Sequence, residues 1–336
     1  MAETVVITGA SAGVGRATAR EFAKHGCSVA LLARGIDGLE AAAREVEELG
    51  GRALIVQTDV ADADQVDRAA EQVIEEFGHI DIWVNNAFAG IFSRFMDMSP
   101  EEYRRVTDVT YFGQIHGTRA ALRHMLPRNK GTIVLVGSAL AYRGIPLQSA
   151  YCGAKHAIQG FLDSLRSELI HDDSAVHVTM VQLPGVNTPQ FDWIRAHVRG
   201  KPKPVGAVYQ PEVAGRAIWK AAHSSRKQWV VGMPAYKAIL GDKVASPLLD
   251  RYLALTGVEA QQADEPVQPD RKDNLFEPVA GDHGAHGRFD KGARTSSPLL
   301  WASDNRGWIA AGAALAVGAS LLGLKLRDRE KTDEPG

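Results

Sequence analysis

The stretch Thr4-Val5-Val6-Ile7-Thr8-Gly9-Ala10-Ser11-Ala12-Gly13-Val14-Gly15 decides the fold. Its first five residues are all β-branched and uncharged, which reads as a buried strand. Glycines follow at 9, 13 and 15, and a helical pattern begins at Gly15–His25. A glycine-rich turn between strand and helix lets backbone N–H groups approach an anion with no Cβ in the way. The helix N-terminus adds unpaired donors and a positive dipole end. The pyrophosphate of a dinucleotide suits this arrangement, with Gly9, Ser11, Gly13, Val14 and Gly15 as candidate contacts. The spacing is G-x3-G-x-G, whereas the commoner dinucleotide fingerprint is G-x-G-x-x-G.

The same alternation continues outward. Ser28–Ala33, Ala53–Thr58, Ile82–Asn85, Thr132–Gly137 and Val176–Leu183 are short apolar runs, as strands covered on both faces require. Helical stretches separate them at Gly38–Leu49, Ala63–Phe77, Pro100–Met125 and Tyr151–Ile170. A seventh strand, Gln228–Gly232, follows a helix at Pro211–Ser224. Strand and helix in strict alternation predict an α/β fold: a Rossmann-type, doubly wound parallel sheet of about seven strands. Pro234–Gly257 extends it with helix, so the catalytic domain is expected over residues 1–257.

The 336 residues are 45% hydrophobic and 23% charged, ordinary for a globular protein, and the net charge of -2 gives no electrostatic reason to expect a nucleic acid partner. Two cysteines, Cys27 and Cys152, make no disulfide framework, and Met1–Gly9 is too short and strand-like for a signal peptide. A cytoplasmic enzyme is the expectation.

The second strand ends Leu32-Ala33-Arg34. A carboxylate there would hold ribose hydroxyls, whereas a fork-shaped cation suits a 2′-phosphate. Arg34 therefore favours NADP (NADPH) over NAD. Ser138 closes the fifth strand, and Tyr151-Cys-Gly-Ala-Lys155 opens the next helix. Spacing of four puts Tyr151 and Lys155 on one helix face, a turn apart. A phenol titrates too high to be a good base, but an ammonium beside it favours the phenolate. Ser138 can orient a substrate oxygen while Tyr151 gives or takes its proton, the acid–base work that alcohol–carbonyl interconversion needs.

Thr8–Gly15, Asn85-Asn86-Ala87, Ser138, Tyr151-x3-Lys155 and Pro184-Gly185-x2-Thr188 together resemble the short-chain dehydrogenase/reductase family over about residues 4–232. The resemblance implies further roles. Asp59 and Val60 would hold the adenine, and Asn85 and Ala87 would line the cofactor near its ribose. Lys155 would bond the nicotinamide ribose, while Pro184, Gly185 and Thr188 would seat the carboxamide. It also implies a homodimer or homotetramer built through Pro100–Met125 and Tyr151–Ile170. Three departures stand out. Phe88 follows Ala87 where the family has Gly. Ala12 replaces a basic residue frequent in NADP-preferring relatives. Thr110 stands where an Asn holds the water of a proton relay, so Thr110 is expected to take over that catalytic part.

Asn187–Gln210 reads as a substrate lid carrying Phe191, Trp193, Ile194 and Tyr209. With Phe88, Phe92 and Phe95 opposite, it predicts an apolar small-molecule substrate of medium or large size. Residues 258–305 are polar and rich in Pro, Gly and Asp, which predicts a flexible linker. Its His283 and His286 lack a third ligand at metal-binding spacing, so no metal is expected. Trp308–Leu324 is then 17 residues without a charge, followed by Lys325 and Arg327. With tryptophans at its start and a Gly312, Ala316, Ser320 ridge, it predicts a membrane-anchoring helix at 306–326, before a charged tail at 327–336. The competing reading is a non-catalytic dinucleotide-binding sensor or scaffold. Intact Ser138, Tyr151 and Lys155 argue against it.

Overall fold

Seven parallel strands form one sheet: β1 (Thr4–Thr8), β2 (Ser28–Ala33), β3 (Arg52–Gln57), β4 (Ile82–Asn85), β5 (Gly131–Ser138), β6 (Val176–Leu183) and β7 (Gln228–Val230). Their spatial order is β7-β6-β5-β4-β1-β2-β3, with every neighbouring pair parallel. The computed structural model describes residues 2–268, 270–308 and 311. The chain divides into two units, Met1–Ser297 and Pro298–Gly336.

The apolar runs became strands where expected. β1, β2 and β4 are buried along their whole length, and the edge strands β3 and β7 are the most exposed. Among the described residues, the helices of eight residues or more are α1 (Gly13–Ala23), α2 (Ile36–Glu48), α3 (Ala63–Phe77), α4 (Pro100–Thr107), α5 (Gly113–Met125), α6 (Ser149–His171), α7 (Pro211–Ala222) and α8 (Met233–Thr256). α1 packs against α2 and α7, and α3 against α5, as expected for layers on the two faces of a doubly wound sheet. Sheet order reverses between β1 and β4, and a crevice opens at the carboxyl ends of those two strands. That is the place where such sheets bind ligands.

Pro100–Met125, expected as one helix, is interrupted. α4 begins with a capping box, in which Ser99 Oγ accepts from Glu102 N–H and the Glu102 carboxylate accepts from Ser99 N–H. A single π-turn at Asp108–Phe112 then joins α4 to α5. Such one-turn widenings inside helices mark functional sites often.

One expectation is corrected here. Residues 258–297 are not a flexible linker but an ordered strap belonging to the first unit. Gln262–Pro266 pairs antiparallel with Gly200–Pro202, and Leu275 is wholly buried. The polar composition was misleading for a physical reason: the strap docks through ion pairs and backbone bonds, so it carries no apolar periodicity. The catalytic unit therefore extends well past residue 257. The membrane-anchoring helix expected at 306–326 falls almost wholly outside the described residues. The apolar segment Trp308–Leu324 lies outside the described residues, apart from Trp308 and Ala311, as does the charged tail. Among the described residues, no helix is long and apolar enough to cross a membrane.

Candidate active site

The crevice at the strand ends is built from a few hydrogen bonds between β1 and β4. Thr8 Oγ1 donates to Val84 O and accepts from the N–H groups of Asn86 (2.9 Å) and Ala87 (3.1 Å). The Asn86 amide donates back to Thr8 O (2.9 Å) and Gly9 O (3.3 Å). One threonine and one asparagine thus lock the glycine loop to the segment after β4. Gly13 turns the chain into α1 with φ of +56°, a conformation that favours glycine. Gly15 serves packing instead: a Cβ there would lie 2.1 Å from Gly9 O and 2.7 Å from the Asn86 amide nitrogen.

The resulting cleft encloses about 590 Å³. Of the residues singled out from sequence, Gly9, Ser11, Gly13, Val14, Arg34, Asp59, Val60, Ala87, Ser138, Tyr151, Lys155, Pro184, Gly185 and Thr188 all line it. Three do not. Gly15 sits behind the loop. Asn85 is turned into the core, where its side chain accepts from Trp83 Nε1 (3.0 Å) and donates to Thr118 (3.1 Å); Asn86 lines the cleft in its place. Adjacent residues at a strand end point to opposite faces, so Asn86 and not the expected Asn85 faces the cleft.

Thr110 is the third. It is fully buried in the π-turn, with its hydroxyl donating to Ala89 O (2.9 Å) and accepting from Ala89 N–H (3.0 Å). The expected relay residue is thereby committed to holding the Phe88–Gly90 loop. Thr110→Val leaves both Ala89 groups unpaired and is expected to cost about 1–3 kcal/mol in a denaturant titration, with Thr110→Ser restoring most of it.

Tyr151 and Lys155 rise from the first turns of α6, with Lys155 Nζ 5.6 Å from the centroid of the Tyr151 ring. Lys155 is almost fully buried, and Nζ donates to Val136 O at 2.6 Å. Burial drives its pKa down to about 7. Burial also pushes the Tyr151 phenol above its ordinary value, opposed by a hydrogen bond from Ser138. Ser138 Oγ itself accepts from Leu140 N–H at 3.1 Å. Phe88, the bulky residue after Ala87, lies edge-on to Tyr151 with ring centroids 5.7 Å apart.

Phe88, Phe92, Phe191, Trp193 and Ile194 line the outer cleft, the last three from the expected lid. Phe95 does not join them; it is 65% exposed and packs on Tyr103. Tyr209 is buried behind the lid against Gly232. Arg34 stands at the far end, where its guanidinium donates to the carbonyls of Asn274, Leu275 and Phe276. Burial, then neighbouring Arg105, depress its pKa, while Asp59 and Glu277 oppose them. Asp59 accepts from Arg105 at 2.5 Å.

Sequence reading missed the strap residues. Asn274, Pro278, Val279, Gly281 and His283 share the cleft with the glycine loop. The apolar pair Leu275-Phe276 inside an otherwise polar run was the signal. His286 bonds Glu212 (2.7 Å) and Asp290 (3.2 Å), and among the described residues no group of three or more His, Cys, Asp or Glu side chains is placed to hold a metal ion.

Comparison with known proteins agrees with this geometry. The family profile described as short chain dehydrogenase matches residues 3–198. The chain is a short-chain dehydrogenase/reductase. An uncharacterized oxidoreductase of Bacillus subtilis, YxnA, is 33% identical over 283 residues, covering 84% of this dehydrogenase/reductase and 80% of YxnA. An alcohol dehydrogenase from the archaeon Thermococcus sibiricus, solved with 5-hydroxy-NADP, superposes with a TM-score of 0.59 at 27% identity, over 69% of this chain and 96% of that one. A short-chain dehydrogenase/reductase from Burkholderia phymatum, solved with NAD, has a TM-score of 0.64 at 22% identity, over 75% of this chain and 95% of that one, and shares the fold. This short-chain dehydrogenase/reductase is accordingly an NAD(P)-dependent oxidoreductase.

Proposed function

We propose that the protein interconverts an alcohol and a ketone or aldehyde with NADP(H), on an apolar substrate of medium or large size. The observation that carries this reading is the grouping of Ser138, Tyr151 and Lys155 around one end of a cleft that begins at the glycine loop. Bound in that cleft, the dinucleotide supplies or accepts the hydride. Ser138, whose oxygen accepts from Leu140 N–H, turns its one proton from Tyr151 to the substrate oxygen and orients it. Tyr151, kept protonated by burial, delivers a proton to that oxygen in the reducing direction. In the oxidising direction Lys155, when charged, lowers the cost of the phenolate that takes the proton back. Apolar side chains at the cleft mouth favour an apolar substrate and exclude water from the reacting atoms.

Arg34 supports NADP over NAD. A half-buried cation beside Arg105 gains from an anion, and a 2′-phosphate supplies one. Arg34→Ala is expected to reduce the kcat/KM ratio for NADPH over NADH by about 10- to 100-fold. Measuring the ratio removes any effect on strap docking, which acts on both cofactors alike. An unchanged ratio would assign Arg34 to the strap alone. Turnover of a carbonyl panel, followed by NADPH absorbance, tests the reading as a whole.

A further inference from the structure

The strap runs across the cleft opening and is pinned on both sides. On the adenosine side, Arg34 donates to Asn274, Leu275 and Phe276, and Arg105 Nε also donates to Leu275 O at 3.1 Å. Gly281 N–H donates to the Asp37 carboxylate at 2.6 Å, and Asp282 pairs with buried Arg16. Over the glycine loop, Gly13 N–H donates to Gly284 O at 3.1 Å. On the nicotinamide side, Phe289 N–H donates to Asn187 Oδ1 at 2.9 Å, and the Phe289 ring meets Phe191 edge-on at 5.4 Å. Between these pins, Pro278, Val279, Gly281 and His283 line the cleft itself. His283 also packs edge-on against Trp193 of the lid, with ring centroids 4.3 Å apart.

A ligand reaching from Arg34 past Gly13 to Thr188 therefore lies beneath the strap. Its departure has to break several of these bonds at once. We propose that residues 274–289 form a closing wall of the dinucleotide site, and that cofactor exchange requires this strap to lift. The inference rests on the reading of the cleft as a dinucleotide site. Its consequence is kinetic: the cofactor is held tightly against release, and strap opening sets the release rate.

The pins also indicate where to loosen the wall without touching the site. Asp37 and Asp282 lie outside the cleft lining, and Arg16 keeps its second partner, Glu45, when Asp282 is removed. NADPH bound to the full-length protein is chased with excess NADP⁺ in a stopped-flow experiment, read by NADPH fluorescence. Release from Asp37→Ala/Asp282→Ala is expected to be at least about tenfold faster than from the unaltered chain, as two lost charge-assisted bonds imply. Trypsin provides the second measurement and needs no variant. NADPH is expected to slow cleavage after Lys272 and Lys291, both exposed on the strap. Equal release rates together with unprotected cleavage would overturn the strap proposal alone. Failure of the unaltered chain to bind NADPH or NADH would overturn the dinucleotide reading, and the strap with it.

Discussion

Tyr151→Phe lowers turnover by about 10²- to 10⁴-fold in both directions, while dinucleotide affinity stays within about threefold. The expectation follows from what the phenol touches. Its hydroxyl is the proton-bearing atom at the inner end of the cleft, bonded to Ser138 and one turn from Lys155. The ring packs edge-on against Phe88, and Phe retains that contact. Loss of the oxygen thus removes the proton donor and little else. Steady-state rates give the first quantity, and fluorescence titration with NADPH gives the second. A Tyr151→Phe protein that still turns over at the parent rate would remove Tyr151 from the chemistry.

Lys155→Met is expected to act in opposite directions on activity and stability. A lysine driven from 10.5 to about 7 is an ionisable group that the folded chain holds at a cost. At 1.36 kcal/mol per unit, the shift corresponds to roughly 4–5 kcal/mol at neutral pH. Met fills similar volume with no charge to desolvate. Val136 O loses a donor but keeps Gln114 Nε2 at 3.1 Å. The net expectation for the protein without cofactor is a gain of about 2–3 kcal/mol near pH 7, with turnover falling by at least about 10²-fold. The pH dependence fixes the sign. The folded pKa lies below the unfolded one, so the unfolded chain binds the extra proton between pH 7 and 10.5. Parent stability therefore rises with pH across that window, and the advantage of Lys155→Met shrinks toward nothing above it. Urea titrations at pH 7 and 10 measure both. Equal stabilities at the two values would mean that Lys155 is not the strained group described here.

The fold was legible in the sequence because its strands are bounded by chemistry as well as by pattern. Thr4–Thr8 is five β-branched residues ended by Gly9, and Val176–Leu183 is a mostly apolar run leading into Pro184-Gly185. The Tyr151/Lys155 pair was legible because helical spacing alone places it on one face. Local pattern failed where long-range contact decides the outcome. Asn85 and Asn86 are identical side chains on opposite faces, and only the buried Trp83–Asn85–Thr118 set separates them. Thr110 read as a relay because its hydroxyl is chemically able to hold water; the π-turn aims it at Ala89 instead. The strap read as linker because its partners, such as Arg16 for Asp282 and Arg34 for the 274–276 carbonyls, lie some 240–270 residues away in the chain.

Hydride transfer tests the central claim most directly. The full-length protein is offered NADPH with a panel of aldehydes and ketones ranging from small and polar to large and apolar, and consumption is followed by absorbance. Steady NADPH oxidation with the apolar members, abolished in Tyr151→Phe under the same conditions, is the predicted result. Bound NADPH that is never oxidised by any member, or oxidised equally by Tyr151→Phe, would contradict the account and favour a dinucleotide-binding scaffold.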